Sequence, residues 1–295
     1  MALFDTFFTP ARRTFLWHSL ELAFAEDGRD LTSEAVFGPE ETTQAEIVAK
    51  EQGILAGIPL IEMVLHYTAP AEVPTWDITI LQPEGAWLSP GQTVARLTGQ
   101  TRHLLRTERV ILNFICHLCG IATVTNRYVQ QLGASHTQLL DTRKTLPGLR
   151  FLEKYAVRIG GGVNHRMDLE EMLMLKDNHI DSAGGIPNAV RKIRARYTPC
   201  PPIEVECRSL AEVHEAVAAQ VDRIMLDNMP LPELQKALQH IPAGIESELS
   251  GGVEESTIAA LATCGADFIS VGRLTHSAPA LDLSMRFSPV PGNAR

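Results

Sequence analysis

Residues 141–180 (DTRKTLPGLRFLEKYAVRIGGGVNHRMDLEEMLMLKDNHI) hold seven of the chain's twenty-six Lys and Arg, about twice what even spreading would place in forty residues. Several stand where solvating charges are least expected. Arg143 and Lys144 follow an apolar, strand-like segment that ends at Asp141. His165 and Arg166 come just after a triple glycine, and Lys176 closes the apolar run Met172 to Leu175. If these strands are parallel and buried, cations at their ends point into a cavity rather than along a wet face. Arginine's planar fork grips carboxylates two-pronged, so such a cluster suits a ligand with several negative charges. Pairing with the six acids of the same run would satisfy the same cations. Arg150, Lys154 and Arg158, four apart, fit that pairing and are expected to stripe a solvated helix face.

Two further sets of residues sit at candidate strand ends. Glu206 and Asp227 end neighbouring strands, and acids beside a cation-rich pocket suggest Mg2+ held through a polyphosphate, or hydrogen bonds to sugar hydroxyls. Their alternative is pairing with Lys176 or Arg143. The glycine-rich ends Ser250-Gly251-Gly252 and Val271-Gly272, each before a helix start, offer backbone N–H groups as a phosphate cradle. Turn-forming glycine is the alternative for either one alone.

The elements that must position these residues follow from spacing. Residues 12–26 keep a helical period, broken at Gly28, and Asp30 and Thr32 read as a capping turn. From Thr43 to Thr98, short β-branched segments (AEIVAKEQG, ILAG, TWDITILQPEG, QTVARLTG) separated by Gly and Pro enclose one helix, PLIEMVLHY, which makes an α+β domain. Gly85 to Gly91 is expected as a hairpin loop, with Trp76 and Trp87 as packing anchors. Residues 103–132 form the longest helical pattern, with Gly120 as its expected kink. Beyond Leu132, strand and helix patterns alternate. Candidate strands end at Asp141, about Gly160, Lys176, Glu206, Asp227, about Ser250 and Gly272, the last five spaced by 21 to 30 residues. Polar residues at consecutive strand ends are the layout of a βα barrel with its site on the carboxyl face, and no dinucleotide fingerprint follows a strand. The fold expected is α/β plus α+β: an N-terminal open-faced α+β sandwich domain over residues 1–114, a seven-stranded βα barrel over 115–274, and a segment 275–295 that returns to the N-terminal domain and ends disordered.

Charge and cysteine content narrow the partners. The net charge of −9 and pI near 5.6 argue against nucleic acid and make a concentrated cationic pocket more informative. No apolar stretch is read as approaching the roughly 20 residues of a membrane helix, and the N-terminus lacks a secretory signal pattern, so a cytoplasmic protein is expected. Five cysteines without framework spacing argue for reduced thiols. Cys116 and Cys119, in CHLC, are read as core packing.

The blocks DTRKTLPGLR, GGGVNHR and LKDNHI, in this order and spacing, resemble the signature of the quinolinate phosphoribosyltransferase family, the carboxylating nicotinate-nucleotide pyrophosphorylases among type II phosphoribosyltransferases. The resemblance covers nearly the whole chain. It implies an incomplete, seven-stranded barrel, and transfer of phosphoribosyl from phosphoribosyl pyrophosphate to quinolinate with loss of CO2, giving nicotinate mononucleotide and pyrophosphate for NAD biosynthesis. It implies quinolinate contacts from Thr142, Arg143, Lys144, His165, Arg166 and Lys176. Ribose and phosphate contacts would come from Glu206, Asp227, Ser250, Gly251, Gly252, Val271 and Gly272. Glu206 and Asp227 would stabilise the developing positive charge and bind Mg2+, while Lys144 or Lys176 would meet the departing pyrophosphate. Arg109, in ERVILNF, pairs with Glu108 on a surface by default; the resemblance makes it an arginine donated into the neighbouring site of a homodimer. Arg273, where the family usually has a small residue, is a departure: it either adds charge near the cradle or points away. Rival readings are a molybdate-transport-associated paralogue with another substrate, a barrel aldolase or isomerase using Lys176 or Lys144 as a Schiff-base lysine, and a non-catalytic phosphometabolite binder.

Overall fold

The computed structural model describes residues 2–68 and 76–289. The chain divides into two compact units, one of Met1–Thr125, Leu146–Gly161 and Ser277–Arg295, the other of Asn126–Thr145 and Gly162–His276. The division falls inside the long helix, further along than the expected 114/115 boundary. Residues 146–161, placed in the barrel domain by sequence, belong to the first unit instead.

The first unit opens with α1 (Ala2–Phe7), α2 (Pro10–Asp27) and α3 (Leu31–Val36). Thr9 caps α2, with Pro10 at its first turn and Gly28, at φ 69°, ending it. Asp30 caps α3 by accepting the Ser33 N–H, the capping role its turn suggested. Next come β1 (Thr42–Ala49), β2 (Gly53–Ile54), α4 (Ile58–Tyr67), β3 (Trp76–Ile80), β4 (Trp87–Leu88), β5 (Thr93–Gln100) and α5 (Thr101–Leu132). An antiparallel sheet in the order β12-β1-β5-β3, where β12 is Leu283–Pro289, forms the unit's spine. Alternation along β1 sends Ala45 and Ile47 into the core, both fully buried, and points Glu46 outward to Arg96 at 2.7 Å. That one-sided pattern is the open-faced sandwich. Glu84 caps α4: its carboxylate accepts the N–H groups of Gly57 (2.7 Å) and Ile58 (2.8 Å) and the Tyr155 hydroxyl (3.0 Å).

Helix α5 runs unbroken through Gly120, contrary to the expected kink. Gly120 is there because the chain passes close: a Cβ would lie 2.0 Å from the Pro279 carbonyl oxygen. By length and composition α5 would span a membrane, correcting the reading that no stretch was long enough, but 67% of its apolar window is buried within the protein. Its apolar stripe builds the core, with Val110, Ile111, Ile115 and Cys119 at 2% exposure or less. Cys119 therefore packs, as expected, and its Sγ accepts the Ala56 N–H. Trp76 packs against this core and stacks on His103. Trp87 does not serve as an anchor: it sits in β4 beside Ile54 of β2 and is 49% exposed, while its neighbour Leu88 is fully buried.

The segment VRIGG, expected as a strand, is the end of helix α6 (Arg150–Ile159). Its period is helical, and Gly160 caps it. The strand position is taken three residues later by a single bridge, Val163 to Leu140. Lys154 is fully buried rather than solvated, while Arg150 is half-buried and Arg158 exposed.

The second unit carries six parallel strands, β6 (Gln138–Leu140), β7 (Leu173–Leu175), β8 (Ile203–Cys207), β9 (Arg223–Asp227), β10 (Glu246–Ser250) and β11 (Phe268–Ser270), in the order β6-β11-β10-β9-β8-β7. Helices α7 (Asp177–Ala183), α8 (Ile186–Arg196), α9 (Leu210–Ala218), α10 (Leu231–Gln239), α11 (Ile258–Ala262) and α12 (Arg273–His276) connect or follow them. With the Val163 bridge this is the incomplete βα barrel. Its register sorts side chains by kind. Glu204, Arg223 and Glu246 lie level across β8, β9 and β10, Glu206, Met225 and Glu248 one step on, and Asp227 with Ser250 after that. The alternate residues, Ile203, Val205, Cys207, Ile224, Leu226, Leu249 and Ile269, are all at 1% exposure or less. One face of this sheet is apolar and buried, and the other is polar.

The tail past Pro289, expected as disordered, lies outside the described residues. Gly120→Ala should cost about 3 kcal/mol of stability, because the methyl group meets a carbonyl with no room to move. A thermal or urea midpoint equal to that of the parent protein would contradict the close approach.

Candidate active site

At the carboxyl ends of the strands a cavity of about 620 Å3 opens in the second unit, lined by Thr142, Arg143, Lys144, His165, Arg166, Met174, Lys176, Glu206, Met225, Asp227, Asn228, Ser250, Gly251, Gly252 and Ser270. Eleven residues singled out from sequence thus meet in one place. Three do not line it. Arg109 lies exposed on α5 in the first unit. Val271 is buried and its N–H donates to the Leu140 carbonyl at 2.9 Å, so it offers no cradle donor. The sheet took that N–H, as the ladder of a buried strand end requires. Gly272 lies just beneath Lys144: a Cβ there would sit 2.9 Å from Lys144 Cδ.

The cations are held in part by their own neighbours. Arg166 is 8% exposed, donating from Nη1 to the Met172 carbonyl at 2.8 Å and from Nη2 to Met174 Sδ at 3.6 Å. Burial, and then the nearby Arg143, push its basicity down. Arg143 Nε is buried without a hydrogen-bond partner. Two guanidiniums near each other, one with an unused buried donor, are built to receive an anion. Lys144 is fixed through its backbone, its N–H on Thr142 Oγ1 (3.0 Å) and its carbonyl on Thr275 Oγ1 (2.8 Å), which leaves the side chain exposed. Lys176 opens α7, its Nζ 3.9 Å from Glu206 Oε2. That contact is the alternative pairing foreseen for Glu206, but it is long and half-exposed, and such pairs hold little energy.

The acids crowd one another. Burial raises the Glu206 carboxyl above its usual range, and the charge of Asp227 raises it further. Asn228, in the left-handed region at φ 53°, donates its N–H to the Ser250 carbonyl (2.9 Å) and its Nδ2 to Asp227 Oδ2 (2.8 Å). Gly251, at φ +92°, is required beside it: a Cβ would stand 2.2 Å from Asn228 Oδ1. Gly252 is left-handed too, at φ +57°. Ser270 Oγ donates to Ser250 Oγ at 3.1 Å. Arg273 points away from the cradle toward Glu254, 3.7 Å distant, with about half its side chain exposed.

One step down the strands lie residues that strand-end reasoning passed over. His165 Nε2 is 3.1 Å from Glu204 Oε2 and 3.4 Å from Glu248 Oε2. Both glutamates are fully buried, and Arg223 Nη1 reaches Glu248 at 3.4 Å. Burial pushes the His165 ring down, but the two carboxylates outweigh it and raise it to about 9. Glu204 is itself pushed up to about 7, by burial and by Glu248. The carboxylates thus favour a proton on the ring, and the backbone contact at its other nitrogen decides where that proton sits. The Arg166 N–H donates to His165 Nδ1 at 2.7 Å. That contact makes Nδ1 an acceptor and leaves the ring's proton on Nε2, between the carboxylates. The signal available in sequence was alternation itself: Ile203-Glu204-Val205-Glu206 and Glu246-Ser247-Glu248-Leu249-Ser250 carry acids two apart, on one face.

The C-terminal domain model of the quinolinate phosphoribosyl transferase family matches residues 121–286, and the N-terminal domain model matches residues 30–119. The chain belongs to the quinolinate phosphoribosyltransferase family. Among its relatives, the probable nicotinate-nucleotide pyrophosphorylase [carboxylating] of Bacillus subtilis is 41% identical over 87% of each chain. The nicotinate-nucleotide pyrophosphorylase [carboxylating] of Mycobacterium leprae is 37% identical, covering 96% of this chain and 99% of its own. The solved nicotinate-nucleotide pyrophosphorylase of Francisella tularensis superposes with a TM-score of 0.87 at 36% identity, over 93% of this chain and 96% of that one. Membership of the quinolinate phosphoribosyltransferase family thus extends over both units.

Gly251→Ala tests the cradle. Left-handed strain and the clash with Asn228 should lower stability by about 1–3 kcal/mol and weaken binding of ribose 5-phosphate at least roughly ten-fold by calorimetry. Undiminished ribose 5-phosphate affinity would remove the loop from the phosphate site.

Proposed function

We propose that this protein transfers the phosphoribosyl group of phosphoribosyl pyrophosphate to quinolinate with decarboxylation, giving nicotinate mononucleotide, CO2 and pyrophosphate. One observation carries the reading: two neighbouring arginines, Arg166 buried and Arg143 half-buried, two crowded acids and a left-handed glycine loop line the same cavity. A dicarboxylate, a ribose and a phosphate need those three kinds of partner. The names of the matched relatives support the same reaction, and none of them favours the molybdate-associated or Schiff-base alternatives.

Arg143 and Arg166 would hold the ring carboxylates, with Thr142, Lys144 and Lys176 beside them. The pyridine nitrogen attacks the anomeric carbon, the bond to pyrophosphate breaks with its electrons leaving on oxygen, and the sugar passes through an oxocarbenium-like state. Glu206 and Asp227 stabilise that positive charge, and Lys144 or Lys176 meets the leaving anion. The C–C bond to the adjacent carboxylate then breaks as CO2 departs, its electrons remain on the ring carbon beside the quaternised nitrogen, whose positive charge stabilises them, and that carbon takes a proton. No nucleophilic side chain is needed; position and charge suffice.

Mg2+ fits the donors present. Burial and mutual repulsion of Glu206 and Asp227 leave two carboxylates that a dication would relieve. They would hold it through the pyrophosphate, where it supplies neutralisation of the leaving group's charge. Arg109, exposed on α5, is proposed to serve the neighbouring subunit of a homodimer. Free cysteines support a cytoplasmic enzyme.

The direct assay uses quinolinate labelled at the 2-carboxylate, Mg2+ and phosphoribosyl pyrophosphate, scored for released CO2 and mononucleotide together; a folded protein giving neither refutes the reaction. Arg166→Ala should raise the quinolinate KM at least roughly ten-fold, and an unchanged KM would take Arg166 out of the clamp. Mixing inactive Arg109→Ala and Lys176→Ala variants should restore roughly a quarter of parental activity by random pairing in a twofold dimer. No recovery after verified subunit exchange would exclude donation across subunits.

A further inference from the structure

One pleat beneath the pocket, the polar face of the barrel carries a charge cluster that the transfer reaction does not touch. Glu204 and Glu248 have no exposed surface, and His165 has 4% of its side chain exposed. The carboxylates of Glu204 and Glu248 are out of reach of solvent, and the His165 ring stands at ion-pair distance from both. Arg223 closes the cluster from below, donating to Glu246 at 2.7 Å and lying over the Phe268 ring at 4.2 Å. Burying two carboxylates costs several kcal/mol each unless something repays it. Evolution of a pocket floor from apolar side chains would avoid that cost, so the acids are expected to do something an apolar floor does not.

The geometry above them shows what that is. The His165 N–H donates to Asp141 Oδ1 at 2.9 Å, and Asn164 Nδ2 donates to Asp141 Oδ2 at 2.6 Å. His165 Nδ1 takes the Arg166 N–H. Residues 164–166 are therefore pinned from two sides, by Asp141 along the backbone and by the imidazole at the peptide of Arg166. The imidazole can accept there only while its proton is on Nε2, and Nε2 faces Glu204 and Glu248.

We propose that Glu204 and Glu248 are positioning residues: they keep the His165 proton on Nε2, leave Nδ1 free to hold the Arg166 N–H, and so set where the Arg166 guanidinium meets a substrate carboxylate. The link to substrate rests on the reading of Arg166 as a quinolinate ligand; the state of the ring does not. His165, which lines the cavity, then also acts through Arg166. The three side chains also offer ligand atoms within 4.8 Å of one another, a spacing open to a divalent cation. A metal would displace the Nε2 proton, and Arg223, 3.4 Å from Glu248, opposes it.

The test is 15N-histidine NMR and quinolinate calorimetry on the full chain, comparing parent, Glu204→Leu, Glu248→Leu and the matching Gln variants. The His165 signals are assigned by their loss in His165→Asn. The parent should show a protonated Nε2 and a bare Nδ1. Each Leu variant should lose that tautomer preference and bind quinolinate roughly ten-fold more weakly, with the phosphoribosyl pyrophosphate KM unchanged. Each Gln variant keeps an acceptor oxygen and should retain both. A parent ring protonated on Nδ1 overturns the proposal even if the Leu variants fail to fold. So does a changed tautomer with unchanged quinolinate affinity, and so does a stoichiometric divalent metal in the parent that is absent from the variants. A protein that shows the Nε2 tautomer but binds no quinolinate keeps the ring assignment and refutes the substrate instead.

Discussion

A parallel strand shows its side chains alternately to two faces, and the second unit depends on giving those faces opposite chemistry. Ile203, Val205, Ile224, Leu226 and Leu249 take the apolar face and are buried. Every second residue between them is an acid, a base, a serine or a methionine. An ordinary barrel fills its interior with branched apolar side chains. Here the interior holds charge, and each charge needs a partner at its own level or one step along. Arg223 meets Glu246 and Glu248, His165 meets Glu204 and Glu248, and Lys176 meets Glu206. The pocket is the last level of that stack, where the partners run out and substrate would supply them.

That arrangement explains how much of the site was legible beforehand. Residues at strand ends announce themselves, since a charge following an apolar run has few places to go. Thr142, Arg143, Arg166, Lys176, Glu206, Asp227 and Ser250 all meet in the cavity. Residues inside strands did not announce themselves, because Glu204 and Glu248 read as solvent-facing until the other face is known to be a lumen. Asn228 was missed for another reason: its part depends on a left-handed backbone and a glycine twenty-three positions later, which no local pattern joins to it. Val271 was misjudged because sequence cannot say which N–H groups the sheet will claim.

The fold was legible where period and length agreed. Helix α5 and the βα succession follow their patterns closely. VRIGG failed because five residues rich in Val, Ile and Gly fit a strand or a helix end equally well, and the preceding helical period decided it. Gly120 failed because a glycine in a helix signals either flexibility or crowding, and here Pro279 crowds it. Lys154 failed because charge spacing alone assumes solvent along the whole stripe, and the stripe is covered at Lys154 while Arg158 stays exposed.

The order of synthesis gives the first unit an unusual dependence. Strand β1 lies between β5 and β12 in its sheet, with Ile47 facing Met285 and Val48 facing Ser284. Until β12 emerges, β1 has an open edge, and the whole of the second unit is made in the interval. At ordinary translation rates that wait is on the order of ten to fifty seconds. During it the N-terminal sheet is three strands with an unpaired, half-apolar border, a surface to which another strand can add. A ribosome that stalls late in this message therefore leaves a nascent chain open to strand exchange with its neighbours on the same polysome, with its first-made part the last to be completed.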